Sequence, residues 1–401
     1  MALPSSLRPI LRDPMLMLSG ALLILFGAYA ATLAPYASAL AVTVFGLSDG
    51  AYSALLVVAS VLSVSASVGF GILADQRANR RVIALASGGF LVAGTGLMTF
   101  GPSVTSFVLA HALILPLSGS LFGQFFALAR LAATLHPERD RPGIQATLRA
   151  AFALPWVCVL PIWSVVFGAG VPLITIYPVS LVMAGILLAL VCRFWPRDGA
   201  TRWPDPKSGL SFAQSLREMA EARVLIRVLA LGTIHGAVTL YLVVIGLVFA
   251  GIAHRGAGDT ALYAGILAGL EVPFMLALPM VLGRVSQTGL IWWGMALYGV
   301  HLAGLPILAE TPYVWLLTIP GAAGGAIVLT QPMAYLQELL AARPGAGASL
   351  MALQKLAGDA ICAGVFAIGA MLGGYGLAAI LGAGLGLVGA GALWALDRRR
   401  Q

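Results

Sequence analysis

The sequence predicts an all-helical membrane protein with twelve transmembrane helices in two six-helix bundles. Three observations predict it. The 401 residues are 60% hydrophobic and only 9% charged, with a mean hydropathy of +0.96, so a soluble fold would have too little polar surface to meet water. Long apolar runs with almost no internal charge recur along the chain. One stretch in the middle, RFWPRDGATRWPDPKSGLSFAQSLREMAEARVLIR over 193–227, is dense in charge and proline.

A helix needs about 20 apolar residues to cross a bilayer core. Runs of that length lie near 15–42, 50–74, 82–101, 104–129, 143–167 and 171–194. After the charged stretch they recur near 225–252, 260–283, 290–309, 313–337, 347–372 and 375–396. The first bundle therefore occupies 1–194, a cytoplasmic linker 195–224, and the second bundle 225–401. The first run is too long for a signal-peptide core and lacks a convincing cleavage site, so it reads as a retained span. Prolines inside spans, among them Pro35, Pro155, Pro161, Pro273 and Pro332, are tolerated where neighbouring helices re-satisfy the backbone. In the linker, Ser211 with Gln214 makes a capping box, and Arg217 and Glu221 stand one turn apart. The expectation there is a short amphipathic helix on the inner membrane surface, or else a partly ordered linker.

Basic residues set the orientation. Of the 23 Lys and Arg, Arg149 and Lys355 fall inside spans, and Arg255 alone falls in a loop on the outer side. The others lie on the side of the N-terminus, which places both termini in the cytoplasm. The net charge of +8 is thus a topological signal and not a nucleic-acid footprint. Cys158, Cys192 and Cys362 fall within apolar runs without a C-x-x-C pair, and are expected as buried thiols outside any disulfide framework. No phosphate-cradling G-x-x-x-x-G-K-[ST] is present, so ATP is not the direct energy source. His111, His235 and His301 lie on different spans without metal-ligand spacing and read as residues that pack or hydrogen-bond to backbone. Pairs spaced G-x-x-x-G, at Gly232/Gly236, Gly265/Gly269, Gly321/Gly325 and Gly369/Gly373, read as close helix contacts. No cofactor, metal or catalytic cluster is indicated, and a membrane enzyme would need His, Asp or Glu gathered at one face.

Ionisable groups inside a bilayer cost about 2.5–3.5 kcal/mol on insertion scales, so they pair internally or serve a pathway. Four lie within spans: Arg149, Glu271, Lys355 and Asp359. By helical rise Arg149 and Lys355 stand roughly 10 Å in from the cytoplasmic end, and Glu271 and Asp359 roughly 16–18 Å in. Lys355 and Asp359, four apart, share a helix face. The four charges sum to zero. A carboxylate whose solvation and partner change can take up and release a proton; a static, charge-balanced packing cluster is the plainer alternative. Gln124, Gln331, Tyr335 and Gln354 offer hydrogen bonds inside spans, and Trp156 a ring to stack on a sugar, although each alone more often packs helices.

The loop after span two reads GILADQRANRR over 71–81. It resembles the signature loop of the major facilitator superfamily, roughly G-x-L-a-D-r-x-G-r-r-r. Gly71, Leu73, Asp75, Arg80 and Arg81 match; Gln76, Ala78 and Asn79 depart. Four further stretches resemble the bacterial sugar efflux transporter branch of that superfamily: GQFFALAR (123–130), LRAAFALPWVCVLPI (148–162), AGLEVPFML (268–276) and YLQELLAARPGAGAS (335–349). Ala151 stands where the branch has a glutamine, and the acidic residue it often carries near Tyr241 is missing. The resemblance implies the major facilitator fold and a gating role for Gly71, Asp75, Arg80 and Arg81. It also implies a monomer of the bacterial inner membrane that exports a small neutral solute, a sugar or sugar analogue, by proton antiport. In that arrangement spans five and eight are neighbours, so Arg149 and Glu271 pair or part as the halves rock, and Glu271 or Asp359 carries the proton. A multidrug or other small-metabolite exporter and a transport-inactive solute sensor are the alternatives. The carboxylates of the first half all sit in loops or at span ends, which counts against export of cationic compounds.

Overall fold

The computed structural model describes residues 7–77, 80–197, 200–203, 222–281, 284–339 and 347–398. Helix α1 (Pro14–Val44) begins where the Asp13 carboxylate accepts the backbone N–H groups of Met15 and Leu16, at 2.8 and 3.2 Å. Pro14 takes the first helical position, where a missing N–H costs nothing. The helix changes character at Pro35: it tightens over Ala34–Tyr36 and widens into a π turn over Leu40–Val44.

There follow α2 (Asp49–Arg77), α3 (Arg80–Phe100), α4 (Val104–Ala133), α5 (Arg141–Gly168) and α6 (Ile176–Phe194). Ser103 caps α4 by accepting the N–H of Ser106 at 3.0 Å. Beyond the charged stretch come α7 (Ala222–Ala250), α8 (Ala257–Ala277), α9 (Gln287–Leu308) and α10 (Thr318–Leu339). The last helical stretch, Gly347–Arg398, holds 52 residues. Unbroken, it would measure about 78 Å, far more than a bilayer. It is broken at Gly373 and Gly374, the latter at φ +77. The backbone of Gly369 lies against Ala378, which a continuous helix would hold about 13 Å away. The chain therefore reverses at the two glycines into α11 (347–372) and α12 (375–398). Among the described residues eleven stretches are long and apolar enough to cross a membrane, and the last holds both of these arms. Counted as separate arms, these make twelve helices of spanning length among the described residues, the number the sequence predicts.

The chain packs as two compact units, and both draw on the first half of the sequence. One comprises 1–34, 62–160 and 174–209; the other comprises 35–61, 161–173 and 210–401. In α1 and α5 the division falls at Pro35 and Pro161, where a missing N–H loosens the helix. In the first unit, Gly20 and Gly27 bring α1 against Leu148 and the Phe152 carbonyl of α5, and Gly88 brings α3 against Leu188 of α6. The second unit is built around α7, which both arms of the terminal hairpin flank. A Cβ at Gly236 would stand 2.9 Å from the Gly358 carbonyl, and one at Gly358 would stand 2.8 Å from the Gly232 carbonyl. Small residues here let two backbones meet, as the Gly232/Gly236 spacing suggests.

Two expectations need correction or limitation. Only Cys362 is buried; Cys158 and Cys192 are exposed on their helices, because an apolar run in a membrane also has an outer face. All three thiols are free. The capping box at Ser211 and Gln214 lies outside the described residues.

Candidate transport site

Asp359 organises a polar cluster in the second unit. It lies on α11 and is only 9% exposed. Lys355, one turn earlier, ion-pairs with its Oδ2. Ser60 of α2 donates to the same oxygen at 2.8 Å. His235 Nε2 of α7 stands 3.3 Å from Oδ1, and Thr239 lies 3.5 Å from that nitrogen. Gly358 makes room, since a Cβ there would come within 2.6 Å of the His235 ring. Three helices thus converge on one carboxylate, with partners for both oxygens. The Lys355 side chain is 49% exposed, so the cluster reaches from buried anion to open cation. The same part of α2 is tied on by Ser53, which donates to the Ala363 carbonyl at 2.7 Å, and by Asp49, which accepts from the Tyr375 hydroxyl at 3.0 Å.

Glu271 forms a second polar centre in this unit. Its carboxylate rests on Gly325 of α10, where any side chain would collide with it. One turn away, Gly321 seats the His301 imidazole; a Cβ there would lie 2.6 Å from Nδ1. Electrostatic interactions connect Glu271 with Tyr241 of α7 and Tyr298 of α9. The spacing read as a helix contact therefore admits two ionisable side chains.

The remaining residues singled out from the sequence are placed as follows. Arg149 is exposed on α5 in the first unit, with Trp156 half-buried two turns along. Gln124, on α4, is buried with its Oε1 unpartnered. Gln331 is buried on α10, its amide 3.5 Å from Thr330. Gln354 reaches the Leu231 carbonyl at 3.5 Å. Tyr335 is occupied otherwise: its hydroxyl accepts from Arg227 Nε at 2.9 Å, and Arg227 also pairs with Asp397 at 2.9 Å. In the signature loop, Arg80 is buried and Arg81 donates to the Cys192 carbonyl at 2.7 Å, a cation set on the C-terminal turn of α6. The side chains of Gly71 and Asp75 lie outside the described residues.

The structure brings Lys355 and Asp359 together as their spacing indicates. It adds Ser60 and His235, which sequence reasoning left out. His235 was legible only as a polar residue inside a span; Ser60 carried no signal. His111 keeps its packing role, bonded to the Tyr177 hydroxyl at 2.9 Å and stacked on Phe107. Among the described residues no three His, Cys, Asp or Glu could hold a metal ion.

No protein-family model matches the chain. A protein of Deinococcus radiodurans named "Putative sugar efflux transporter" is 26% identical over 370 residues, covering 89% of this chain and 92% of that one. The crystal structure of nucleoside transporter NupG superposes with a TM-score of 0.72 at 13% identity, covering 96% of this chain and 98% of that chain. The crystal structure of a D-xylose-proton symporter gives 0.71 at 16%, covering 94% and 96%. At such identities the structural likeness is one of fold.

Proposed function

We propose that this chain, whose fold is that of solved transporters and which is similar to a sugar efflux transporter, is itself a transporter that exports a small solute by proton antiport. The solute is a sugar or sugar analogue, the membrane is the bacterial inner membrane, and both termini are cytoplasmic. The observation that carries the reading is Asp359, a buried carboxylate held by Lys355 and His235 and joined to α2 through Ser60.

A charge-assisted hydrogen bond is stronger than a neutral one. A proton arriving on Asp359 removes the charge that holds Lys355 and weakens the tie to Ser60. Loss of the proton restores both. The six-helix halves on either side of the 195–224 bridge then rock, exposing the solute site to each side in turn. Glu271 is the second carboxylate able to carry the proton, and among the described residues it takes part in none of the ion pairs of its unit. Arg149 is exposed on α5. A guanidinium this deep is too costly to face hydrocarbon, so it faces the solute path. Trp156, Gln124, Gln331 and Gln354 supply the ring and amides that suit a neutral polyol.

A second reading has its own support. Phe26, Phe122, Phe126 and Phe152 gather around the α5 segment that bears Arg149, with the rings of Phe122 and Phe152 4.8 Å apart. Such a platform also suits an amphipathic, drug-like solute.

The deciding experiment is uptake by inverted vesicles under an imposed pH gradient, screened across labelled sugars, polyols and cationic dyes. Gradient-driven uptake of a sugar is expected. Accumulation of dyes alone favours the second reading, and indifference to the gradient removes proton antiport.

A further inference from the structure

Resting on the proton-coupled reading, we propose that Glu271 and His301 form one proton-exchanging pair, linked through the tyrosine hydroxyls that enclose the imidazole. Gly321 and Gly325 are four residues apart on α10, so they present neighbouring turns of one face, about 6 Å apart along the axis. The His301 imidazole rests on the first and the Glu271 carboxylate on the second. One helix face therefore fixes both groups side by side, although they come from α9 and α8.

The cage around His301 is aromatic on three sides. The rings of Tyr241, Tyr298 and Tyr263 lie 5.0, 5.2 and 5.7 Å from the imidazole, Tyr263 nearly parallel to it. The face of Tyr263, stacked on the imidazole, stabilises an imidazolium. Nδ1 is held by the Tyr263 hydroxyl at 3.0 Å and by the Leu317 carbonyl at 3.2 Å. A carbonyl only accepts, so the Leu317 bond places a proton on Nδ1 and leaves Nε2 as the proton acceptor. Nε2 is completely buried and has no hydrogen-bond partner, and the Tyr241 hydroxyl is likewise buried and unpartnered. A bare acceptor and a bare hydroxyl beside a carboxylic acid are costly as static packing. They are suited to passing a proton on.

The titratable groups facing His301 are Tyr241 from α7, Tyr263 from α8 and Tyr298 from its own helix. Glu271 is the carboxyl group of the site, Tyr36 of α1 interacts electrostatically with Tyr241, and α10 presents glycine at both contact points. In the exchange, the Glu271 carboxyl gives its proton to a tyrosine hydroxyl oxygen, directly or through a water. Because Nε2 is in direct hydrogen bond with no side chain, that hydroxyl passes its own proton to Nε2 through a water. The carboxylic acid becomes carboxylate, the neutral imidazole becomes imidazolium, and the tyrosine is unchanged. The pair keeps one proton throughout and presents it at either of two places, a turn apart.

Infrared difference spectroscopy of the full chain in liposomes tests the pairing without reference to transport. Glu271→Gln identifies the carboxyl band. His301→Gln should shift that band and its titration midpoint, and should lower gradient-driven transport about tenfold or more while downhill exchange persists. Tyr263→Phe changes little volume and loosens Nδ1; it should move the band in the same direction, and stands in should His301→Gln fail to fold. An unchanged band and midpoint in both variants would overturn the pairing. A shifted band in a protein whose transport ignores the pH gradient would leave the pair intact and overturn proton antiport instead.

Discussion

Ser60 and Asp359 stand 299 positions apart in the chain, and the serine hydroxyl donates to the aspartate at 2.8 Å. The bond joins α2 to α11 at the one buried carboxylate that also holds Lys355 and His235.

Asp359→Asn should abolish gradient-driven transport and lower the melting temperature. Because Lys355 is 49% exposed, water screens the ion pair, and the stability loss should be about 1–2 kcal/mol rather than that of a fully buried pair. The double variant Lys355→Met/Asp359→Leu should recover the melting temperature without recovering transport. Recovery of both would make the cluster packing alone. Thermal unfolding in detergent and vesicle uptake, measured on the same preparations, separate these outcomes.

Arg255 should be intolerant even of lysine. Its guanidinium donates to the carbonyls of Ala309 at 2.5 Å and Thr311 at 2.9 Å, pairs with Asp259 at 3.4 Å, and lies over the rings of Phe249 and Trp315. An ammonium cannot reproduce the planar fork, so Arg255→Lys should cost about 2 kcal/mol. The shift in thermal midpoint is the measurement; a change within error would show that the planar fork is not what these contacts need.

The α7–α11 contact predicts a position-specific response to a single methyl. Gly236→Ala and Gly358→Ala should each destabilise by about 1–3 kcal/mol, since two backbones already fill the space. Gly364→Ala, on the same α11 but with nothing within 4 Å, should be neutral or slightly stabilising. Equal effects at all three positions would show that helix propensity, not contact, governs them.

Gly374 sits at φ +77, a conformation that a side chain resists by about 1–2 kcal/mol. Gly374→Ala should lower the unfolding midpoint accordingly, and Gly374→Asn should lower it less. A pair of identical melts for wild type and Gly374→Ala would place the turn elsewhere.

The crossings were legible because apolar length against bilayer thickness is a one-dimensional signal. Even the pair near 347–372 and 375–396 separated correctly, where no polar residue marks the turn. The Lys355–Asp359 pair was legible from its i, i+4 spacing. Ser60 was not, because its partner is set by the packing of α2 on α11. His235 looked like filler until Gly358 was seen to make room for it. Tyr335 illustrates the opposite error: it reads as a polar group for a solute, yet Arg227 holds its hydroxyl. Cys158 and Cys192 were expected to be buried because hydropathy cannot tell a helix's inner face from its lipid face.

The reversal at Gly373 and Gly374 bears on how the protein is made. With no charged segment between them, α11 and α12 reach the insertion machinery as one continuous apolar hairpin. Lys355 and Asp359 travel in that hairpin already paired, one turn apart, so the most expensive cargo of the second bundle enters with its charge cancelled.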